Sequence, residues 1–105
     1  MTKYRIEMFD TALSDLEDVK VYYIREASLE VANVMLDNIR KRIDGLTNMP
    51  KINPVSRQDT RFRCLVIDKY LVFYYVDEET KVVEIHHVWH GMRNIKKLLA
   101  ASYFI

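Results

Sequence analysis

The stretch RFRCLVIDKYLVFYYVDEETKVVEIHHVWHGMR, residues 61–93, limits the possible folds more than any other part of the chain. It divides into three runs rich in β-branched and aromatic residues, at 61–67, 70–76 and 82–89. Only Asp68 and Lys69 separate the first two. Asp77 to Lys81 is polar and turn-like, and Gly91 stops the third run. Connections this short imply antiparallel neighbours, because parallel strands need a long crossover. The stretch is therefore expected to be a three-stranded meander with arginines and histidines at its two ends.

The residues before it alternate less and recur more. Tyr4 to Met8 reads as a short strand with one wet face. Asp10 or Thr11 can cap a helix in which Ala12, Leu16, Val19 and Tyr23 form the apolar stripe, to about Glu26. Ser28 is a second cap. It opens a helix over 29–46 with Ala32, Leu36, Ile39, Ile43 and Leu46 on one side, and Gly45, Asn48 and Pro50 end it. A connection this short folds the two helices into an antiparallel hairpin. Residues 51–60 form a polar loop, 92–101 a short helix, and 102–105 an apolar tail.

The order strand, helical hairpin, three strands, short helix predicts an α+β fold with the helices on one face of the sheet. The first strand is expected at an edge or beside the last one. A chain of 105 residues, half of them apolar and with only two glycines and two prolines, is expected to be a single domain, 1–105, with one real core. A net charge of +1 confines any basic surface to a local patch. The lone Cys64 cannot close an internal disulfide and reads as a small buried hydrophobe. No apolar run is long enough to cross a membrane and the start lacks a signal-peptide pattern, so a cytoplasmic protein with no membrane partner is expected.

Period-two alternation places Val83, Ile85, His87 and Trp89 on one face of the last strand. This more apolar set is expected to meet the helices, leaving Glu84, His86 and His90 on an open face. In the first meander strand Phe62, Cys64 and Val66 form the stronger core set, so Arg61 and Arg63 are expected on that open face or at its rim. The competing reading is an ordinary solvated sheet surface. His87 is expected to be a hydrogen-bonded core histidine.

The chain has no glycine-rich phosphate loop and no paired-cysteine zinc motif, and no cofactor is expected. His86, His87 and His90 do not make a metal site, since strand residues four apart are roughly 13 Å apart and adjacent ones point oppositely. No serine or cysteine nucleophile stands beside a base. What remains is an arginine–histidine surface of Arg61, Arg63, His86 and His90. Lys51 and Arg57 approach from the loop, and Arg93, Lys96 and Lys97 from the C-terminal segment. Such groups suit phosphate or carboxylate. They could cleave RNA without metal by acid–base chemistry, or only dock a protein. On the second helix Leu29, Val31, Val34 and Met35 are left over from the core stripe and suggest a partner surface, unless the C-terminal tail covers them.

Several of these segments together resemble the RelE/ParE superfamily of bacterial toxins from type II toxin–antitoxin modules. The resemblance spans nearly the whole chain: YRIEMF, Asp15-Leu16, Tyr22-Tyr23 and the loop punctuated by Asn53-Pro54. It is most specific in RCLVIDKYLVFYYV and VVEIHHVWHGMRN, which look like the family's meander-opening arginine, Tyr-x-x-x-Tyr middle strand and terminal His-Gly-x-Arg.

The resemblance implies a growth-arresting toxin with one of two targets. ParE-like members poison DNA gyrase. RelE-like members are ribosome-dependent endoribonucleases that cut mRNA. The ending His90-Gly91-Met92-Arg93 looks more like the ParE branch, and the RelE-type tyrosine shortly after it is missing, with Tyr103 further on. In a RelE-like enzyme Arg63, His90, Arg61 and Arg93 would be catalytic. Lys51, Arg57, His86, Lys96 and Lys97 would bind the target or RNA. Either branch implies a cognate antitoxin, with which the toxin would form a hetero-oligomer, held on Leu29, Val31, Val34 and Met35. A non-toxic binding module on the same fold is the further alternative.

Overall fold

A computed structural model describes residues 3–102. The order is β1 (Arg5–Met8), α1 (Asp10–Glu26), α2 (Leu29–Asp44), a single 3-10 turn (Gly45–Thr47), β2 (Arg63–Ile67), β3 (Tyr70–Asp77), β4 (Val82–His90) and α3 (Ile95–Ser102). This is the α+β arrangement that the residue pattern implies. Tyr103 and the apolar tail lie outside the described residues.

The four strands form one sheet in the order β1-β4-β3-β2. The meander is antiparallel. β1 closes the sheet at an edge, parallel to β4, with Arg5 to Met8 opposite Val82 to Ile85. Both meander turns pass through a left-handed residue, Asp68 at φ 52° and Lys81 at φ 56°. Aspartate tolerates that region better than most residues. Asp77 Oδ1 accepts the amides of Glu79 and Thr80 and shapes the second turn.

Local chemistry sets the helix ends. The Ser28 hydroxyl accepts the Val31 amide at 3.1 Å and caps α2. The start of α1 differs from expectation: Phe9 is the cap and contributes no side-chain bond. Thr11 is occupied elsewhere, donating to the His86 carbonyl at 2.6 Å. α3 begins at Ile95, three residues later than the composition suggests, because the Asn94 side chain caps it by accepting the Lys97 amide.

Pairing of β3 with β4 slips at one place. Phe73 faces His87 but Tyr74 faces Ile85, so His86 is an extra residue in β4. The bulge reverses the alternation beyond it. Val83 and Ile85 point to the helical hairpin, and past the bulge Val88 does so instead of His87 and Trp89. Two cores result. The larger one packs Leu16, Val19, Leu36, Ile39 and Ile43 of the hairpin against Leu65, Val72, Tyr74, Val83 and Ile85. The smaller one, on the other face, packs Phe62, Phe73 and Trp89 under Ile95 and Leu99 of α3.

β1 is too short to cover the whole edge of β4, and α1 completes the job. After Phe9 donates to the Ile85 carbonyl, Thr11 binds the His86 carbonyl and Asp15 Oδ2 accepts the Val88 amide at 3.0 Å. Asp15→Ala should therefore leave the Val88 amide unpaired and cost about 1–3 kcal/mol. Thermal unfolding of the variant checks this. A melting temperature equal to that of the parent would show that water replaces the carboxylate without loss.

Candidate functional site

The bulge and α3 redistribute the residues expected on one open face. α3 covers that face where Phe73 and Trp89 lie, so it carries a core and is not an open platform. Arg63 is not on it. Arg63 alternates with Leu65 and Ile67, opposite Tyr74, on the hairpin side. His90 has also moved to the hairpin side, opposite Tyr70, because the bulge shifted the phase of β4. The assignment of Phe62, Cys64 and Val66 to a helix-facing core is corrected too: Phe62 and Cys64 belong to the α3 side and Val66 is 55% exposed.

The basic residues consequently fall into three neighbourhoods. At the start of β2, Arg63 Nη1 donates to the Asn53 carbonyl at 2.7 Å and to that of Lys51 at 3.4 Å. Beside it the buried Tyr74 hydroxyl donates to the Pro50 carbonyl and accepts from Asn53 Nδ2. Burial raises the Tyr74 pKa, so the phenol stays a donor. Arg63 thus holds the loop around residues 50–53. Lys51 points away to an ion pair with Glu78 at 2.6 Å, and Arg57 is exposed.

The second neighbourhood lies at the bulge. Both histidine rings there point to the α3 side. His86 sits between Phe9 and Phe62, with ring centroids 4.1 and 4.9 Å away, and its Nε2 is 3.0 Å from Glu84 Oε1. Burial lowers its pKa below the ordinary histidine value, with Glu84 pulling the other way. Arg61 stacks over Phe62 at 4.9 Å and pairs with the buried Asp59 at 2.6 Å. His87 is buried and stacks on Trp89 at 4.0 Å, with Nδ1 3.8 Å from Asp15 Oδ2. It is a core residue, as expected, but that distance is too long for the hydrogen bond expected of it.

The third neighbourhood is the far end of the sheet. His90 Nδ1 accepts the Met92 amide at 3.0 Å, and its ring meets Tyr70 edge to face at 5.4 Å. Arg93 lines a cleft with His90 and Tyr70, while Lys96 and Lys97 are exposed on α3. Arg63 and His90 stand opposite Tyr74 and Tyr70, four residues apart on β3 and so roughly 13 Å apart along the strand. They share a face but occupy opposite ends. Cys64 is half-buried and burial raises its thiol pKa, which opposes thiolate chemistry. No group of three or more metal-ligating side chains occurs among the described residues.

An exposed four-membered cluster joins Tyr4, just before β1, to the loop and the β3–β4 turn. Glu78 accepts from Lys51, Lys81 and the Tyr4 hydroxyl. These hydrogen bonds, Lys51 first, hold its carboxyl at about 2. A lowered carboxyl pKa favours the ionised folded form, so its contribution is complete above the unfolded value of 4.5 and fades as pH falls toward 2. Glu78→Gln should flatten the stability profile in that window, and so should about 1 M salt, which screens exposed pairs. An unchanged acid limb in Glu78→Gln would show that the cluster is ornamental.

The hairpin's outer surface is more apolar than the four singled-out residues suggest. Leu29, Val31 and Val34 are exposed, whereas Met35 is partly buried against the core. They do not form one patch. Leu29 continues the row of Asn33, Leu36 and Arg40, which lines a groove against α1. Val31 and Met35 lie on the other flank, the row of Arg42, whose guanidinium reaches the Val66 carbonyl on β2. On α1, Leu13, Val21, Tyr22 and Ile24 are also exposed. The residual stripe Leu13, Val21, Ile24 was visible at helical spacing but is masked by the stronger core stripe beside it.

Residues 6–95 match the family described as the ParE toxin of the type II toxin–antitoxin system, parDE. The chain therefore belongs to the ParE toxin family and is the toxin of a type II toxin–antitoxin module. Solved structures agree in fold. A chain of the chromosomal ParDE system of Pseudomonas aeruginosa superposes with a TM-score of 0.77 at 15% identity, over 86% of this chain and 98% of that one. A mutant of the Escherichia coli toxin RelE in the free state gives 0.67 at 14% identity, covering 98% and 99%. The RelBE2 toxin–antitoxin complex of Mycobacterium tuberculosis gives 0.64 at 19%, covering 84% and 98%. No curated protein sequence matches significantly.

Proposed function

We propose that this toxin arrests growth by inhibiting DNA gyrase, in the ParE manner, and that a cognate antitoxin silences it by covering the helical hairpin. The observation that carries the target reading is the dispersal of Arg61, Arg63 and His90. Cleaving a phosphodiester without metal needs a general acid, a general base and a cation within hydrogen-bond reach of one reacting phosphate. Arg63 is spent on loop carbonyls, Arg61 pairs with Asp59, and His90 sits at the opposite end from Arg63. Membership of the ParE family supports the same target. Toxin–antitoxin complexes among the structural neighbours, and the exposed Val31, Val34 and Leu13, support the antitoxin as partner.

A second reading, cleavage of ribosome-bound mRNA, rests on the Arg61–His86–Glu84 group at the bulge, where a cation, an imidazole and a carboxylate do approach one another. Inducible expression without antitoxin separates the two. Under the gyrase reading, pulse labelling shows DNA synthesis falling first while protein synthesis continues. Immediate translation arrest with cut mRNA would favour the second reading. Unaffected growth would mean a non-toxic binding module.

A further inference from the structure

A cleft of about 380 Å³ opens between α1 and the His90–Arg93 turn. That volume is at the lower end for sites that enclose a small ligand. Its floor is apolar and aromatic, with Val19, Val88 and the Tyr70 ring, and the half-exposed Tyr22 forms a wall. Opposite charges stand on its rim without meeting. Among the described residues, neither the Asp18 carboxylate nor the Arg93 guanidinium has a hydrogen-bond or ion-pair partner. Asp15 also lines the cleft, but its Oδ2 is committed to the Val88 amide, so Asp18 is the available acceptor. His90 accepts the Met92 amide through Nδ1, which leaves Nε2–H as a donor. A second cleft of about 460 Å³ shares His90 and Met92 and adds Lys69.

The ligand that fits is flat and dipolar. One end must donate to a carboxylate, the body must stack on tyrosine, and the other end must be anionic. We propose that this cleft binds a guanine nucleotide, with the base on Tyr22, its Watson–Crick edge on Asp18 and the phosphate on Arg93 and His90. An ionised carboxylate only accepts hydrogen bonds, and guanine offers two adjacent donors on that edge. Adenine offers one donor beside a lone pair, which the carboxylate repels. Stacking on an aromatic ring serves either base, so discrimination falls to Asp18. The inference goes beyond the toxin's target and holds with either reading of it.

The test is a titration of the purified, isotopically labelled full chain with guanosine monophosphate and then adenosine monophosphate, followed by backbone amide shifts. Saturable sub-millimolar shifts at Tyr22, Met92 and Arg93 are expected with the guanine nucleotide, and at least about tenfold weaker binding with the adenine one. Asp18→Asn should remove that preference. Arg93→Ala should weaken the nucleotide but not guanosine itself. Both residues are exposed, so folding is retained. Equal response to the two nucleotides, no saturation at millimolar ligand, or shifts confined to Lys51, Arg57, Lys96 and Lys97 would overturn the proposal.

Discussion

Phe73→Ala is expected to remove about 3–5 kcal/mol of folding free energy. A domain of this size holds only about 5–15 kcal/mol in total, so the loss is about a fifth of its stability or more. Phe73 is 1% exposed and lies between Phe62, at 6.5 Å between ring centroids, and Trp89, at 5.7 Å. Ile95 and Leu99 close over this group from α3. Truncation would open a cavity that two rigid rings and a short helix fill poorly. Denaturant unfolding measures the loss, with Val66→Ala as the control, since Val66 is exposed and should change by no more than about 0.5 kcal/mol. A loss near that of the control would mean that α3 does not build a second core.

Val31→Glu combined with Val34→Glu should weaken antitoxin binding by about 30-fold or more, the effect of losing roughly 2 kcal/mol at an interface. Both valines are exposed, at 41% and 67%, so the folded toxin accepts the charges. Glutamate is also the better helix former. Beneath a partner's apolar surface the same carboxylates lose their water without gaining a counter-charge. The affinity of toxin for antitoxin gives the direct readout, and failure of co-expressed antitoxin to restore growth gives the cellular one. Unaltered affinity would place the antitoxin elsewhere, for instance on the groove lined by Leu13, Asn33 and Arg40.

Element types were readable because each long segment has an unambiguous period. The hairpin helices show four or five apolar residues at helical spacing, and the meander turns are marked by Asp68-Lys69 and the polar 77–81 segment. The faces of the meander were not readable. A period-two rule carries one error through the whole strand, and His86 inserts one residue into β4. Nothing at His86 marks a bulge, since β-branched residues flank it in β4 on both sides and no glycine interrupts the strand. The bulge arises where the register with β3 breaks beyond Phe73, a tertiary event. Its consequence is functional: it moves His90 away from His86 and puts His86 and His87 on the same side, while Arg63 becomes a loop anchor because β2 turns Leu65 and Ile67, not Cys64 and Val66, to the hairpin. α3 was visible as a helix, but that Ile95 and Leu99 lie over Phe73 depends on where Gly91 and Asn94 aim the chain. Family-specific motifs identified the toxin class where the physics of separate residues could only propose a basic surface.

The sharpest measurement adds the purified toxin, in parallel, to DNA gyrase acting on plasmid DNA and to ribosomes programmed with mRNA. The proposed function predicts that supercoiling stops and cleaved plasmid accumulates, while the mRNA stays full length. Normal supercoiling together with cut mRNA would contradict it.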